Sequence, residues 1–190
     1  MKQYFRTNLQ DDMTGFLEGA SIYLRPWRDE DLDLLFKGLN DPRVRETLFT
    51  YRPKSKFELM EEIKKDLSSD KNILLTVCET GSNQAVGMTA FYRIDHVSRA
   101  AIFFLSIYDS AKWHLGYGSE ATRLMVDYAF NLLNLNRIQL HVASENPKAI
   151  SIYEKCGFVK EGTLREAMYH NDRYVDFFVM SILRSEFYKR

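Results

Sequence analysis

The sequence predicts one mixed α/β (α+β) domain in which helices flank a sheet built largely from antiparallel hairpins. Helical spacing and β-rich runs both occur along the 190 residues, in the order strand, two helices, three strands, helix, strand, helix and two strands. Because strand and helix do not alternate regularly, we expect a layered architecture and not a doubly wound parallel sheet. The chain is 45% hydrophobic and 14% aromatic, a composition typical of a domain that buries its own core.

The first predicted elements are a short strand and two helices. Residues 21–25 form an apolar run typical of a strand, and Asp29 is the expected N-cap of the first helix. The apolar face of that helix contains Leu32, Leu35, Phe36 and Leu39. The polar break at 40–42 is expected to end it. Ser55 and Glu58 have the separation of a capping box, which predicts a second helix with apolar residues at helical spacing.

Three strands joined by two turns are predicted next. Residues 73–78 form a β-rich run, and residues 84–94 return as its hairpin partner after a turn. After a polar turn at 95–98, residues 100–108 form a third apolar run. Because this run lacks alternation, we expect a central strand that is buried on both faces.

The last part of the chain contains a long helix, a strand, a short helix and a final hairpin. The long helix is predicted from the shared apolar face of Ala121, Leu124, Met125, Tyr128 and Leu132. The strand is predicted from the alternation of Ile138, Leu140 and Val142. Asn146 and Pro147 supply the N-cap and first position of a short helix that Gly157 closes. Residues 163–169 and 174–183 are expected to pair as the final two strands.

Charge and targeting signals exclude several classes of protein. The 26 basic and 26 acidic side chains give a net charge of zero, so the basic excess typical of nucleic-acid and anionic-membrane binders is missing. Residues 1–18 carry polar and acidic side chains, and are expected to be an N-terminal extension of a single domain at 19–190, not a signal peptide. No apolar run approaches the roughly 20 residues of a membrane helix. We therefore expect a cytoplasmic protein with no nucleic-acid or membrane partner.

Cysteine and histidine usage indicates neither a disulfide scaffold nor a metal site. Cys78 and Cys156 lie in apolar patterns and are expected to be buried thiols in a reducing compartment. His141 alternates with apolar residues on a predicted strand and is expected to face solvent, and His170 lies in the last turn. Neither histidine has a second ligand at a useful spacing, so we expect no metal.

The most specific local feature is a glycine-containing loop between a buried strand and the long helix. It consists of Trp113, His114, Leu115, Gly116, Tyr117, Gly118 and Ser119. Glycines at such a turn let backbone N–H groups approach an anion, and the following helix N-terminus adds partial positive charge. A Walker A loop is excluded because Ser119 and Glu120 follow Gly118, where that loop needs Lys and then Ser or Thr. The dinucleotide pattern G-x-G-x-x-A fits, but the short, hairpin-ended remainder of the chain does not make a doubly wound half.

A second motif follows at residues 146–158. It contains Asn146, Pro147, Lys148, Tyr153, Cys156, Gly157 and Phe158. Together with the glycine loop and the terminal pattern at 172–183, this motif resembles the GCN5-related N-acetyltransferase (GNAT) superfamily. The resemblance covers about residues 21–183. With the opening Leu24, Arg25 and Pro26, the chain is most similar to the branch that holds the ribosomal-protein alanine acetyltransferases and the spermidine acetyltransferases.

The resemblance implies a fold, a cosubstrate and a set of site residues. The fold is a mostly antiparallel central sheet with one splayed parallel pair, and acetyl-CoA would lie in the gap between the two splayed strands. The implied cofactor-binding residues are Ser106, Ile107 and Tyr108 on one strand edge, the loop 113–119 around the pyrophosphate, and Asn146 and Tyr153. Tyr153 would also be the catalytic residue, as general acid toward the sulfur. A backbone N–H near Tyr108 would stabilise the oxyanion.

Two departures from the family pattern leave questions open. His114 stands where relatives usually carry a third glycine, and Leu115 where they often carry a polar residue. Many relatives place a glutamate on the central strand to receive the amine proton, but residues 101–104 contain no carboxylate. The base would then be a water chain or one of the groups Asp95, His96 and Glu166.

The sequence leaves the acceptor open within the class of primary amines. A protein N-terminus and a small amine such as a polyamine or an amino sugar are all compatible with it, and a homodimer is a further expected partner. A polyamine would favour clustered acidic residues, and no obvious cluster lies near the expected cleft. Two rival functions are a catalytically silent acyl-CoA-binding or sensing module, which the missing strand carboxylate favours, and a fold that serves mainly as an interaction surface.

Overall fold

A computed structural model describes residues 15–189 of the chain and contains one eight-stranded sheet. The strands are β1 (Leu17–Glu18), β2 (Ile22–Pro26), β3 (Ile73–Glu79), β4 (Ala85–Asp95), β5 (Ala100–Ile107), β6 (Arg137–Ala143), β7 (Val159–His170) and β8 (Arg173–Leu183). They lie in the order β1-β2-β3-β4-β5-β6-β8-β7. Every neighbouring pair is antiparallel except β5 and β6, which are parallel. The predicted fold class is therefore confirmed.

Helices cover both faces of this sheet. They are α1 (Leu32–Asn40), α2 (Pro42–Leu48), α3 (Lys56–Leu67), α4 (Tyr117–Asp127), α5 (Pro147–Lys155) and the short α6 (Arg184–Phe187). On one face, α4 and α5 pack on a core that includes Phe91, Phe103, Met125, Leu140 and Met180. On the other face, α1, α2 and α3 pack on a smaller core that includes Leu35, Val44, Leu59, Ile63 and Tyr108. Successive residues of one strand thus contribute to different cores.

Several local sequence signals correctly predict the structure at their positions. Ser55 and Glu58 make both hydrogen bonds of the capping box at the start of α3. The Asn146 side chain accepts a hydrogen bond from the Ala149 N–H at the start of α5. Asn171 and Asp172 are both left-handed, as a tight turn between two antiparallel strands requires. Cys78 and Cys156 are both buried, as predicted.

The start of the first helix differs from the prediction. Residues Asp29–Asp31 form a 3₁₀ turn and α1 begins at Leu32, so Asp29 is not its N-cap. The polar sequence at 40–42 ends α1 but also starts α2, because the Asp41 side chain accepts from the Arg43 N–H and Pro42 occupies the first helical turn. This second helix was not predicted.

Two further expectations were wrong for geometric reasons. A π-helical turn at Tyr128–Leu132 follows α4, and its extra residue per turn rotates later side chains away from the predicted face. Leu132 is consequently 67% exposed. The central strand β5 is also not buried on both faces: only Ala101, Phe103 and Ser106 are buried. Three of its partly exposed residues, Phe104, Leu105 and Ile107, line an open gap.

A buried ion pair holds the beginning of the domain to the sheet. Arg25 on β2 donates two hydrogen bonds of 2.8 Å to the Asp31 carboxylate, which also accepts from Thr76 Oγ1 on β3 at 2.7 Å. Burial by itself would raise the pKa of Asp31, but these hydrogen bonds from Arg25 and Thr76, with one from the Arg28 N–H, lower it below its ordinary value.

The predicted N-terminal extension falls mostly outside the described residues. Its last two residues, Leu17–Glu18, form β1 and pair with β2. Residues 1–14 are not among those that the structure describes. Within 15–189, no helix is long and apolar enough to span a bilayer.

Candidate active site

The candidate site is the gap where the only parallel pair of strands separates in the described sheet. β5 and β6 share three rungs, at Ala100 with Arg137, Ala101 with Ile138, and Ile102 with Gln139. Beyond the third rung the two strands diverge, and a cavity of about 530 Å³ opens between them. Its walls include the second half of β5, the end of β6 and the first turns of α4 and α5. This is the splayed parallel pair that the sequence resemblance implies.

The edge of β5 that borders the gap offers backbone groups to a ligand. The Tyr108 N–H donates to the Val86 carbonyl on the other side, at 2.9 Å. Because alternate residues of a strand direct their backbone groups to the same neighbour, Phe103, Leu105 and Ile107 direct theirs to the gap. The Ile107 carbonyl already accepts from Trp113 Nε1 at 2.9 Å, which ties the glycine loop to this edge. An extended ligand arm can therefore pair with Leu105 as an added strand would.

Tyr108 lies away from the gap. It is buried in the core beneath α1, where its Cβ would lie 2.4 Å from a Cβ added to Gly38. Its own N–H is already engaged, so a donor near Tyr108, as the resemblance implies, would belong to a neighbouring residue. Burial raises the pKa of its hydroxyl. The strand that lines the cavity is the predicted one, but the available N–H groups belong to the residues before Tyr108.

The glycine loop lies at one end of the gap. Gly116 is the left-handed N-cap of α4, with a φ of 87°, and nothing lies within 4 Å of the position where a Cβ would be. His114 also takes a left-handed conformation, with a φ of 67°, which is uncommon for a residue other than glycine. Its Nε2 lies 3.4 Å from Lys148 Nζ in the first turn of α5. Two helix N-termini and these two basic side chains therefore meet at one place, which suits a pyrophosphate.

Glu79 at the end of β3 anchors this loop from behind. Its carboxylate accepts from Lys112 Nζ at 2.9 and 3.0 Å, and from the hydroxyls of Ser82 and Tyr117. The hydrogen bonds from Ser82, Tyr117 and Lys112 lower the pKa of Glu79 to about 2. Nothing in the sequence pattern indicated this cluster, because Glu79 ends one strand 33 residues before Lys112.

Tyr153 faces the gap from the second turn of α5. Its ring packs edge-on against Phe103 at 6.2 Å between centroids and lies 5.8 Å from the ring of Phe158. Burial raises the pKa of its hydroxyl to about 12. The hydroxyl therefore keeps its proton throughout the neutral range. Among the described residues it has no hydrogen-bond partner, so the proton can be directed to a ligand.

Ten of the twelve predicted site residues line this one cavity. They are Ser106, Ile107, Trp113, His114, Gly116, Tyr117, Gly118, Ser119, Asn146 and Tyr153. Tyr108 and Leu115 do not line it, and the Leu115 side chain is 55% exposed. The cavity also has walls that the sequence did not indicate, from Thr47 and Leu48 on α2 and Phe177 on β8.

A second cavity, of about 340 Å³, continues from the first. The two share Thr47, Ala143, Asn146 and Lys148. Two carboxylates line the second cavity, those of Glu46 on α2 and Glu145 before α5, and Glu145 accepts from Arg173 at 2.8 Å. Phe49, whose ring packs against His170 and Phe177, closes one side. The two cavities form one passage: Lys148 lines both parts, and the carboxylates of Glu46 and Glu145 lie only in the second.

The three groups considered as bases from sequence lie outside both cavities. Asp95 and His96 are in the turn between β4 and β5, at the end of β5 where the strands are still paired, and Asp95 accepts three hydrogen bonds within that turn. Glu166 lies in an irregular stretch of the edge strand β7, where its N–H donates to Asp176. Within residues 15–189 no group of three or more potential metal ligands comes together.

Comparison with known proteins identifies close relatives. The family model described as an acetyltransferase (GNAT) domain matches residues 21–159. The spermidine N(1)-acetyltransferase of Vibrio cholerae is 37% identical over 173 residues, which are 90% of this chain and 98% of that protein. A crystal structure of spermidine N-acetyltransferase from Vibrio cholerae in complex with CoA and spermine superimposes with a TM-score of 0.82 at 32% identity, over 90% of this chain and 99% of that one. A dodecameric structure of the Vibrio cholerae enzyme gives a TM-score of 0.77 at 32% identity, over 89% and 97% of the two chains.

Proposed function

The chain belongs to the GNAT acetyltransferase family, and on that premise we propose that it acetylates a primary amine of a small polycation of the polyamine class. The broader activity is established by membership: the protein is an N-acetyltransferase with acetyl-CoA as its cosubstrate. The predicted family, activity and cosubstrate are thus confirmed. The silent-module alternative is set aside, since the closely matching relative is named as an enzyme over nearly its whole length.

The observation that carries the proposal is the passage that continues from the strand gap into an acidic cavity. The first cavity has free backbone edges, a glycine cradle and basic side chains, which suit an extended, phosphorylated cosubstrate. The second cavity presents Glu46 and Glu145, which suit the cationic part of an acceptor. A thioester at the junction would face the acceptor, with each substrate entering from its own end.

The chain's own residues supply positioning and proton control. Acetyl-CoA, when bound, supplies an acetyl group that is already activated as a thioester, so alignment of the amine accounts for much of the rate. The Leu105 N–H, on the gap side of β5, is placed to stabilise negative charge on the carbonyl oxygen. Tyr153 holds a proton for the departing sulfur. Burial raises the pKa of a thiol, as it raises the pKa of the Tyr153 hydroxyl. The buried sulfur can therefore accept that proton as the C–S bond breaks.

Two independent observations support a polyamine over the other amines. Relatives that match this chain over about nine-tenths of its length are named for spermidine. The fold also brings Glu46, from α2, to the same cavity as Glu145, about a hundred residues later in the chain. Glu145 is paired with Arg173, so Glu46 is the carboxylate that could bind a second ammonium group. A single N-terminal amine or an amino sugar with one amine has no such group.

An amine panel tests the proposal. CoA release is measured with spermidine, spermine, an amino sugar and an N-terminal alanine peptide as acceptors. We expect the polyamines to have the highest kcat/KM. Glu46→Gln should raise the KM for spermidine about twofold to fivefold, as for a solvent-exposed ion pair, and leave the KM for acetyl-CoA unchanged. Glu154→Gln, an exposed glutamate on α5, is the matched control.

Preference for the peptide or the sugar would refute the polyamine assignment. Equal KM values for spermidine in Glu46→Gln and Glu154→Gln would remove the role of the acidic cavity. Self-association, expected from the sequence and seen as a dodecamer in the Vibrio cholerae relative, is tested separately by light scattering of the purified chain.

A further inference from the structure

The site described above has no assigned group for the proton of the incoming amine. An aliphatic amine arrives mostly as an ammonium ion at neutral pH, because its pKa is near that of lysine. Its nitrogen cannot attack until one proton has left. Residues 100–107 of β5 contain no carboxylate and no histidine, and the three candidates considered from sequence lie outside the cavities.

Few groups around the first cavity can receive that proton. Its titratable lining residues are Lys112, His114, Tyr117, His141, Lys148 and Tyr153. Lys112 and Tyr117 are bonded to Glu79 behind the loop. His114 and Lys148 lie together at the phosphate end. Tyr153 is the proton donor to the sulfur. His141 is the group that is left in the first cavity. In the second, Glu145 is paired with Arg173, His170 packs against Phe49, and Glu46 is the carboxylate proposed to bind the cationic part of the acceptor.

His141 lies close to the point where the strands separate. It is two residues beyond Gln139, the last rung shared with β5, which is roughly 7 Å along the strand at about 3.3 Å per residue. Its neighbours Leu140 and Val142 are buried in the core beneath α4 and α5, so the imidazole projects from the opposite face. That is the face of α2, where Glu46 and the acidic cavity lie. His141 is exposed, as the sequence predicted, but it is exposed to the cavity.

A short polar chain holds the imidazole in one orientation. Arg137 donates to Gln139 Oε1 at 3.3 Å, so the other end of that amide is the donor to His141 Nε2, 3.2 Å away. Arg137 is held in turn by an ion pair with Glu161. Because an amide nitrogen can only donate, Nε2 is the acceptor nitrogen of the ring in this contact.

We infer that His141 is the general base that takes the proton from the acceptor ammonium. The inference rests on the proposed function, since it assumes amine acetylation in this passage. An ammonium N–H replaces the Gln139 amide at Nε2, and the proton passes to the imidazole. The freed nitrogen then forms the C–N bond as the C–S bond breaks. The nitrogen loses two protons in all. His141 passes one of them to solvent, and the other replaces the proton that Tyr153 gives to the sulfur.

Two variants separate this role from a structural one. His141→Gln keeps a polar side chain in the cavity but cannot take a proton at neutral pH, and His96→Gln is the matched control at the opposite end of β5. With spermidine, or with the best acceptor of the panel, His141→Gln should lower kcat about 10²-fold to 10⁴-fold at neutral pH. The deficit should shrink as the pH approaches the pKa of the amine, because the acceptor then arrives without its proton. His96→Gln should match the wild type throughout.

A binding measurement completes the test without turnover. In the CoA-bound protein with ¹⁵N-labelled histidine, adding spermidine should shift one imidazole resonance, and that resonance should be missing in His141→Gln. Equal kcat in wild type and His141→Gln, a deficit that is constant with pH, or a His141 resonance that does not respond to bound spermidine would overturn the assignment. Absence of turnover by the wild type with every polyamine is a different outcome, and it would contradict the proposed function.

Discussion

Replacing Tyr153 with Phe tests the chemistry of the site with little disturbance of the fold. The substitution removes only the hydroxyl, which has no hydrogen-bond partner among the described residues, and keeps the ring that packs against Phe103 and Phe158. We therefore expect the free energy of unfolding to change by less than about 0.5 kcal/mol. For a domain of this size that corresponds to a Tm shift within about 2 °C. Affinity for CoA should also stay unchanged.

The kinetic effect of Tyr153→Phe should be much larger than the effect on stability. General-acid catalysis contributes about 10²-fold to 10⁴-fold, which is about 2.7 to 5.4 kcal/mol of transition-state stabilisation. The loss should fall on kcat, measured by CoA release at saturating amine and acetyl-CoA. Tyr128→Phe removes the hydroxyl of another buried tyrosine, which lies in the π-helical turn after α4 and does not line the cavity, and should leave kcat unchanged. Equal kcat in Tyr153→Phe and wild type would refute the assignment, and a fall in Tm or CoA affinity that matches the loss of kcat would make the role structural.

Two other substitutions test the supports of the site. Glu79→Gln removes the charge that holds Lys112 and Tyr117 beneath the glycine loop. The Kd for CoA, measured by calorimetry, should therefore rise several-fold, while the KM for the amine stays unchanged. An unaltered Kd would show that the loop keeps its shape without Glu79. Asp31→Asn leaves the Arg25 charge buried without its partner and should cost about 3 to 5 kcal/mol, or about 6 to 20 °C in Tm at neutral pH. Because hydrogen bonds lower the pKa of Asp31 in the folded state, its stabilisation is complete above the unfolded value of about 3.9 and is lost as the pH falls through the folded value. The difference in Tm between wild type and Asp31→Asn should therefore narrow in strong acid, and a difference that is constant with pH would contradict this account.

The parts of the fold that were predicted correctly are those whose signals are local. The capping box at Ser55 and Glu58, and the Asn146 cap of α5, involve residues only three apart, so their hydrogen bonds form wherever the helix does. The same kind of signal existed for α2, since Asp41 followed by Pro42 is a good N-cap and first position. The same residues end α1, and a polar sequence that ends one helix does not by itself indicate that another begins at once. The exposure of Leu132 had no such signal, because nothing in the spacing of apolar residues indicates a π-helical turn.

The residues at the cofactor end of the site come from short stretches of the chain. The glycine loop and the segment 146–158 each contain their own helix N-terminus and polar groups, so residues near one another in sequence are also near one another in the site. The acceptor end is different. Glu46, His141 and Phe177 come from a helix and two strands and face one passage only because the sheet places β6 and β8 side by side beneath α2.

There is a physical reason why some features can be predicted from the sequence and others only from the tertiary structure. Backbone conformation, capping and amphipathic spacing depend on interactions over a few residues, so they decide the elements and the glycine cradle before the chain is folded. The place where two parallel strands stop pairing, and the direction in which His141 then projects, depend on register and twist across the whole sheet. Only in the folded chain do His141, which the sequence predicts to face solvent, and the distant glutamates Glu46 and Glu145 line one passage.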